Sequence, residues 1–273
     1  MEKPQIAFIG AGNMASSIIG GLVEAGHPPS RICAADPYPP SLEKLQAIAP
    51  VSVSDNNADA VRGADVIILA VKPQVMAEAT ASIASAVQAS GAVTMSIAAG
   101  VTIASMEKRL GSQAAIVRCM PNTPALVGCG ASALFANPRV SDQQKAHTQQ
   151  ILSAVGITAW VETETELDAI TALSGSGPAY FFLFMEAMIE AGEHLGLSNS
   201  TASSMAMQTA LGASRMALES DVDLAELRRR VTSPGGTTER AVQVFESGGL
   251  RTLVKNAMQE ADIRAAEMAK EMG

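Results

Sequence analysis

Cysteine is scarce in this 273-residue sequence, which contains only Cys33, Cys119 and Cys129. An odd number of cysteines without a C-x-x-C pair fits neither a disulfide framework nor a metal-binding motif. The three histidines are scattered and lack the spacing of metal ligands. We therefore predict no metal site and three reduced, mostly buried thiols, as in a cytoplasmic protein.

Positive charge and long apolar runs are scarce as well. The chain has 19 Lys and Arg residues against 27 Asp and Glu residues, which gives a net charge of −8. Because a negative surface repels polyanions, we expect neither nucleic acid nor a membrane as a partner. Apolar runs such as residues 179–185 are too short to span a bilayer, and residues 1–4 do not resemble a signal peptide. These absences predict a soluble, cytoplasmic protein.

Hydrophobic residues, in contrast, make up 48% of the chain, which is enough for a sizeable core. In the first half, short apolar runs alternate with helix-length segments, which is typical of a parallel sheet with crossover helices. The predicted strands lie near residues 5–9, 31–35, 66–71, 92–97, 114–119, 131–136 and 157–161. The predicted helices lie near residues 13–25, 41–48, 74–89, 102–110 and 141–155, with N-caps at Ser41, Thr102 and Ser141.

The pattern changes at about Glu164, because strand-like runs stop there and helical periodicity continues to the C-terminus. The predicted helices of this half lie near residues 164–173, 178–195, 199–219, 223–231, 236–247 and 249–271. Several are apolar around most of their circumference, so we expect a second subunit to cover them. We predict an α/β fold with two domains: a dinucleotide-binding Rossmann domain of parallel sheet (1–163) and an all-helical domain for dimerisation and substrate binding (164–273).

The first predicted strand runs directly into Gly-x-Gly-x-x-Ala and then into a helix, which is the setting of a dinucleotide fingerprint. Gly10 permits the tight turn, Gly12 permits close approach of a pyrophosphate, and Ala15 permits close packing of the helix. Asp36, 21 positions after Ala15, ends the second predicted strand, where an acid would bind the ribose of the cofactor. The alternative is a glycine turn that binds nothing.

Two further glycine-rich stretches, residues 173–180 and 231–239, lead into predicted helices. Pro178 suits a first helical turn, so residues 175–177 would present free N–H groups. In the second stretch, the hydroxyl groups around a helix start would suit a small carboxylate. Two capped loops without a ligand remain the alternative for these stretches. Ser176 lacks the Gly two positions before it that a hydrolase nucleophile elbow needs. The arginines at 228–230 indicate a solvated helix end.

Six motifs occur in order along the chain, and together they resemble pyrroline-5-carboxylate reductase. They are residues 8–15 (FIGAGNMA), 70–73 (AVKP), 96–102 (SIAAGVT), 118–125 (RCMPNTPA), 173–180 (LSGSGPAY) and 233–238 (SPGGTT). The resemblance implies the last step of proline synthesis, in which NADPH or NADH reduces the C=N bond of 1-pyrroline-5-carboxylate to give L-proline. It also implies an N-terminal Rossmann domain and a helical domain that forms a homodimer by exchanging helices, with a decamer of dimers as a larger assembly.

The same resemblance implies a role for each site residue. Thr238 would be the catalytic residue and would hydrogen-bond the ring nitrogen of the substrate. The remaining substrate contacts would come from Ser233, Gly236, Thr237, Ser174 and Ser176. The cofactor would be bound by Gly10, Ala11, Gly12, Asn13, Met14, Asp36, Asn57, Ala70, Val71, Lys72, Pro73, Ala98, Ala99 and Gly100. In the dimer, the loop of residues 233–238 would come from the partner subunit.

Cofactor choice depends on Asp36. A carboxylate at this position favours the ribose hydroxyl of NADH over the phosphate of NADPH. Residues 37–40 also depart from the Asn-Arg of many family members that prefer NADPH, which removes a cation for that phosphate. We therefore predict that NADH is used well.

Two other functions are compatible with a Rossmann domain followed by helices. A 3-hydroxyacid dehydrogenase would need a Lys shortly after Gly177, but Phe181 stands there and no Lys follows until Lys255. A dinucleotide-sensing regulator would bind cofactor without turnover. The carboxylate-binding loop at residues 233–238 argues against such a sensor.

Overall fold

The computed structural model describes residues 3–272 and confirms the predicted architecture, a mostly parallel sheet followed by helices. The strands are β1 (Ile6–Ile9), β2 (Ile32–Ala35), β3 (Ser52–Ser54), β4 (Val66–Leu69), β5 (Val93–Ser96), β6 (Ile116–Met120), β7 (Gly130–Ala136) and β8 (Gly156–Trp160). The helices of this half are α1 (Asn13–Glu24), α2 (Pro39–Ile48), α3 (Asn57–Ala60), α4 (Met76–Ser90), α5 (Ile103–Leu110) and α6 (Asp142–Ser153).

After β8 the chain is helical. The elements are α7 (Glu166–Ile170), a turn of π-helix (Thr171–Gly175, hereafter the π turn), α8 (Gly177–His194), α9 (Asn199–Glu219), α10 (Leu224–Arg230), α11 (Thr237–Ser247) and α12 (Leu250–Met272). The chain divides into two compact units. The first contains the residues up to Ser176 and the segment from Glu260 onward, and the second is Gly177–Gln259. No helix within residues 3–272 is long and apolar enough to cross a membrane.

The sheet has the strand order β3-β2-β1-β4-β5-β6-β7-β8, and both of its faces are covered. Successive strand residues point to opposite faces, so Phe8 and Ile68 pack with α1, α2 and α6, whereas Ile9 and Ile67 pack with α4 and α5. All four residues of β4 are buried, as expected of a central parallel strand. This arrangement brings the carboxyl ends of β1, β2, β4, β5 and β6 to one edge of the sheet.

Strand β7 departs from the predicted parallel sheet because it is antiparallel to β6. The link between them is a short 3₁₀ segment, Thr123–Val127, and a parallel crossover requires about a dozen residues or more. The sequence also did not predict β3 or α3, which have three and four residues. Such short elements leave little periodicity in the sequence.

Two of the three predicted helix caps are confirmed. The side chain of Thr102 caps α5, and Ser141 forms a capping box with Gln144 at the start of α6. The prediction for Ser41 is wrong, because α2 begins two residues earlier at Pro39 and its N-cap makes no side-chain bond. Proline at a first helical position has its φ angle preset for a helix, which explains the earlier start.

The three cysteines are free thiols at three levels of burial. Cys119 is buried in β6 and Cys33 is half-buried in β2, and burial raises the pKa of both thiols. Cys129, directly before β7, is exposed, so the expectation of burial is wrong for this residue. Its position after an exposed turn explains the difference.

The second unit has little core of its own. Within residues 177–259, all of which the structure describes, the only buried hydrophobic residues are Ala202 and Ala206. Four consecutive large side chains of α8, residues 181–184, are exposed by 43–67%. Helices with this much exposed apolar surface need a covering partner.

Candidate active site

The turn between β1 and α1 has the geometry that a bound dinucleotide requires. Gly10 has φ +100°, and a Cβ added there would lie 2.6 Å from the carbonyl oxygen of Ala70. Gly12 is the extended N-cap of α1, makes no side-chain capping bond, and would place an added Cβ in open space, with nothing within 4 Å. The backbone at Gly12 is therefore open to close approach, and the first N–H groups of α1, which have no intrahelical acceptor, suit a phosphate, so these residues fit a dinucleotide.

A cation lies close to this turn. Lys44 of α2 donates from Nζ to Oδ1 of Asn13, at 3.3 Å. Because the chain carries a net negative charge, this side chain brings local positive potential to the start of α1. Sequence reasoning missed Lys44, since the contact joins residues 31 positions apart.

Asp36 follows β2 at the same edge of the sheet. Its carboxylate accepts hydrogen bonds from the backbone N–H of Ala11 at 2.8 Å and of Tyr38 at 2.9 Å. The carboxylate is thus directed at the glycine turn and is held on both sides by backbone groups. This is the position in which an acid contacts the ribose of a dinucleotide.

The segments after β4 and β5 line the same edge. Ala70 N–H donates to Ile9 O at 2.8 Å, which holds residues 70–73 beside the glycine turn, and Lys72 is exposed. Residues 98–100 follow β5, and Gly100, with φ +75°, lies against Met268 of α12. Asn57 of α3 donates its side-chain amide N–H to the Ser82 hydroxyl at 2.9 Å. In the first unit the predicted cofactor residues Gly10, Ala11, Gly12, Asp36, Ala70, Val71, Lys72, Pro73, Ala98, Ala99 and Gly100 thus follow strand ends, Asn13 and Met14 begin α1, and Asn57 begins α3.

The stretch of residues 173–180 is not the open loop that the sequence predicts. Its first residues belong to the π turn, and Ser176 N–H donates to Thr171 O at 2.8 Å, so this N–H is not free for a ligand. The carbonyl of Ser174 accepts a bond from the side chain of Asn122 at 3.0 Å. Pro178 does lie in the first turn of α8, as predicted.

A buried ion network joins β6 to the start of the helical region, and sequence reasoning missed it. Arg118 is 7% exposed and contacts Glu164 at 3.1 Å and Asp168 at 3.5 Å. Glu164 also accepts the backbone N–H of Ile103 at 2.9 Å. Burial raises the pKa of the Asp168 carboxyl, and the guanidinium of Arg118 acts in the opposite direction. Paired charges such as these fix the relative position of three segments of the first unit.

The loop of residues 233–238 lies in the second unit and has several free hydrogen-bonding groups. Gly235 has φ +71° and donates its N–H to Glu239 at 2.8 Å, while Gly236 N–H donates to Ser233 O at 3.0 Å. Gly236 is the N-cap of α11 and makes no side-chain capping bond. Thr237 and Thr238 are exposed, and within residues 3–272 neither hydroxyl has a hydrogen-bond partner. Their N–H groups belong to the first turn, which has no intrahelical acceptor.

The arginines at the end of α10 are paired within the second unit. Arg229 and Arg230 bond to Glu226 at 2.6 and 2.9 Å and lower the pKa of that carboxyl to about 2. Arg228 lies 3.5 Å from Glu246. All three are exposed, which agrees with a solvated helix end. Within the described residues, no group of three or more His, Cys, Asp or Glu side chains could hold a metal ion.

Comparison with known proteins gives matches over the whole chain. Residues 164–268 match the family model described as pyrroline-5-carboxylate reductase dimerisation, and residues 5–100 match NADP oxidoreductase coenzyme F420-dependent. The sequence is 52% identical to pyrroline-5-carboxylate reductase of Pseudomonas aeruginosa, with 100% of each chain covered.

Two solved structures are similar over nearly the same range. A pyrroline-5-carboxylate reductase from Coxiella burnetii has a TM-score of 0.95 and 44% identity, with coverage of 98% of this chain and 99% of that one. Pyrroline carboxylate reductase of Plasmodium falciparum with NADP bound has a TM-score of 0.85 and 30% identity, with the same coverage of both chains.

Proposed function

The chain belongs to the pyrroline-5-carboxylate reductase family. From this we propose which of its residues bind the cofactor and which bind the substrate. The enzyme is an NAD(P)H-dependent oxidoreductase that reduces the C=N bond of 1-pyrroline-5-carboxylate to L-proline, the final step of proline biosynthesis. The first unit binds the cofactor and the loop of residues 233–238 binds the substrate.

NADPH or NADH is the cofactor, and the reduced nicotinamide supplies the hydride when bound. The N–H groups at the start of α1 would hold the pyrophosphate, because Gly12 leaves its face open. Residues 70–73 and 98–100, together with Asn57, would line the cofactor cleft. Asp36, directed at the glycine turn, would bind the ribose, so NADH would be used well.

The start of α11 is the observation that carries the assignment of substrate residues. Its two first-turn threonines present N–H groups, and their hydroxyls have no hydrogen-bond partner within residues 3–272. A helix start of this kind suits a carboxylate, which Ser233, Gly236 and Thr237 would hold. The Thr238 hydroxyl would then hydrogen-bond the ring nitrogen. A cyclic imine can enter already protonated, so the site needs to position its substrate more than to supply a strong acid.

The helical region forms the homodimer, because residues 164–268 match a dimerisation model. We place the domain boundary near residue 163 and propose that each subunit's 233–238 loop completes the cleft of its partner. A decamer of dimers is the proposed larger assembly, and the cytoplasm is the proposed location.

Initial rates of NADH and NADPH oxidation with 1-pyrroline-5-carboxylate test the proposed function. We expect turnover with the imine and none with a 3-keto acid, because no lysine stands near residue 181 to protonate a keto group. Cofactor binding without turnover of the imine would contradict the proposal. A kcat/KM for NADPH about a hundredfold above that for NADH would show that Asp36 does not bind the ribose.

A further inference from the structure

The π turn is explained by a proline downstream of it. The ring of a proline within a helix clashes with the carbonyl four residues earlier, and proline has no N–H to donate to that carbonyl. Here Pro178 lies four residues after Ser174, whose carbonyl would therefore be left without its helical donor. The helix widens to a π turn over Thr171–Gly175. Single turns of π-helix often occur at functional sites.

Asn122 supplies the missing donor. Its side chain is held in one orientation, because Nδ2 donates to Ser174 O at 3.0 Å and Oδ1 accepts Ala131 N–H at 2.9 Å. The residue is 8% exposed, so both ends of the amide are satisfied inside the protein. Asn122 thereby connects the end of β6, the start of β7 and the π turn.

A second contact fixes the π turn against the same segment. A Cβ added at Gly175 would lie 2.6 Å from Cε of Met120, so the backbone of the turn packs directly on that side chain. Met120 ends β6 and Asn122 follows it; because β6 is parallel to β5, both residues lie at the sheet edge that carries the glycine turn. The π turn is thus attached to the edge where the cofactor residues converge.

We propose that Asn122 is a positioning residue that holds the π turn, and with it Ser174 and Ser176, in the geometry needed to bind 1-pyrroline-5-carboxylate. This inference rests on the proposed function, because those serines are proposed substrate contacts. Asn122 acts through the carbonyl of Ser174 and does not touch the substrate itself. Loss of its amide leaves the half-buried Ser174 carbonyl without its donor and removes one of the contacts that hold the turn.

The test compares Asn122→Ala with a matched control, Asn137→Ala. Asn137 is 4% exposed and bridges backbone groups in the same way, with Nδ2 donating to Ala114 O and Oδ1 accepting Ile116 N–H. It lies at the other end of β7, so it probes the loss of a buried amide away from the proposed site. Both variants are assayed at a temperature at which circular dichroism shows them folded.

We expect Asn122→Ala to lower kcat/KM for 1-pyrroline-5-carboxylate by about tenfold or more, because small misplacements of a binding group are costly. Its KM for NADH should stay within about twofold of wild type, since the glycine turn is untouched. Asn137→Ala should leave both constants near wild type. Equal kinetic losses in the two variants would overturn the inference, whereas a wild-type enzyme inactive on the imine would overturn the proposed function instead.

Asn122→Asp gives an independent readout if the alanine variant does not fold. An ionised carboxylate cannot donate to Ser174 O, but the protonated acid can. The kcat/KM of this variant relative to wild type should therefore rise as the pH is lowered toward the carboxyl pKa. A ratio that does not change with pH would contradict the proposed hydrogen bond.

Discussion

At the scale of single residues, polar atoms in this enzyme differ in whether they find a partner inside the fold. The hydroxyl of Thr238 is exposed and has no hydrogen-bond partner among residues 3–272, so it is accessible to a ligand. The Nε2 atom of His27 also lacks a partner within the described chain, but it is buried. These two situations lead to different predictions, one for activity and one for stability.

We expect Thr238→Ala to lower turnover of the imine and leave folding nearly unchanged. One hydrogen bond to a charged or developing centre contributes about 1.5 to 3 kcal/mol, which corresponds to roughly ten- to a hundredfold in rate. Because Gly236 is the cap of α11, loss of the Thr238 hydroxyl removes no capping bond. Steady-state kinetics and melting temperature on the same preparation check both parts.

Thr232→Ala is the matched control for this prediction. Its hydroxyl lies in the adjacent loop and donates to Arg228 O at 2.6 Å, so it serves the fold rather than a ligand. The control should lose some stability and keep its turnover. A destabilised Thr238→Ala enzyme with normal turnover would count against a catalytic role for Thr238.

We expect His27 to make the fold less stable in mild acid. Burial lowers the pKa of its imidazole below 6.5, and the charge of Lys3 lowers it further, while a bond to the Pro4 backbone acts the other way. Between the folded pKa and 6.5 the unfolded chain binds more protons, so stability falls as the pH drops through this range. More than about one pH unit above 6.5 the imidazole is neutral in both states, and the group contributes no pH dependence.

Urea unfolding at pH 7.5 and pH 5.5 tests this expectation. The loss of stability between these two values should be smaller in His27→Gln than in wild type. His194→Gln is the control, because this histidine is exposed at the end of α8. An equal pH dependence in wild type and His27→Gln would show that protonation of His27 does not matter.

A local sequence pattern predicts the cofactor residues, whereas no local pattern predicts a role for Asn122. Gly10, Gly12 and Asp36 occur at short, fixed spacing around one βα unit, so their chemistry is visible locally. Asn122 gains its role from Ser174, which is 52 positions away, and no local pattern reveals that contact. The same holds for Arg118 and its two carboxylates.

At the scale of elements, the turn between β1 and α1 combines two glycines with different requirements. Gly10 needs a positive φ and close packing, and Gly12 needs only an open face. The tight turn predicted at Gly10 is confirmed, because the strand and the helix on either side are clear, and the role of Gly12 beside a pyrophosphate stays a prediction. It failed where an element is too short for periodicity, as in β3, and where a short link reverses a strand, as in β7.

Alanine substitution should separate these two roles. We expect Gly10→Ala to destabilise the fold by about 1 to 3 kcal/mol, because its backbone strain adds to a clash with Ala70 O. Gly12→Ala should keep its melting temperature, since nothing lies within 4 Å of the new methyl group. It should nevertheless raise the KM for NADH about tenfold or more by occupying the phosphate side.

Thermal unfolding and NADH titration of both variants check this pair of predictions. The opposite result, a destabilised Gly12→Ala with intact NADH binding, would mean that the open face of Gly12 does not receive the cofactor.

At the scale of the whole molecule, the second unit depends on association. Only two small hydrophobic residues are fully buried within residues 177–259, and many large ones are exposed. A helical region with so little core is stable only when a partner covers it. The sequence indicated this through helices that are apolar around most of their circumference, but it could not show which faces stay exposed in a single chain.

We expect the melting temperature to rise with protein concentration, as mass action requires when folding and dimerisation are coupled. Leu211→Glu on α9, where the side chain is 47% exposed, should weaken the dimer and lower this temperature. Ile157→Glu is the control, since that residue is 74% exposed on β8 of the first unit. Sedimentation that shows a stable monomer at micromolar concentration would contradict this expectation.

The three cysteines differ in burial, so their labelling rates can report local opening of the first unit. A thiol reagent should modify Cys129 at once, Cys33 only during partial fluctuations of β2, and Cys119 only when the central sheet opens. The raised pKa values of the Cys33 and Cys119 thiols reinforce this order, because the thiolate is the reactive form. Mass spectrometry of pulse-labelled protein would therefore record two opening rates, with Cys129 as the unprotected reference, and cofactor binding should slow labelling of Cys33 more than labelling of Cys129.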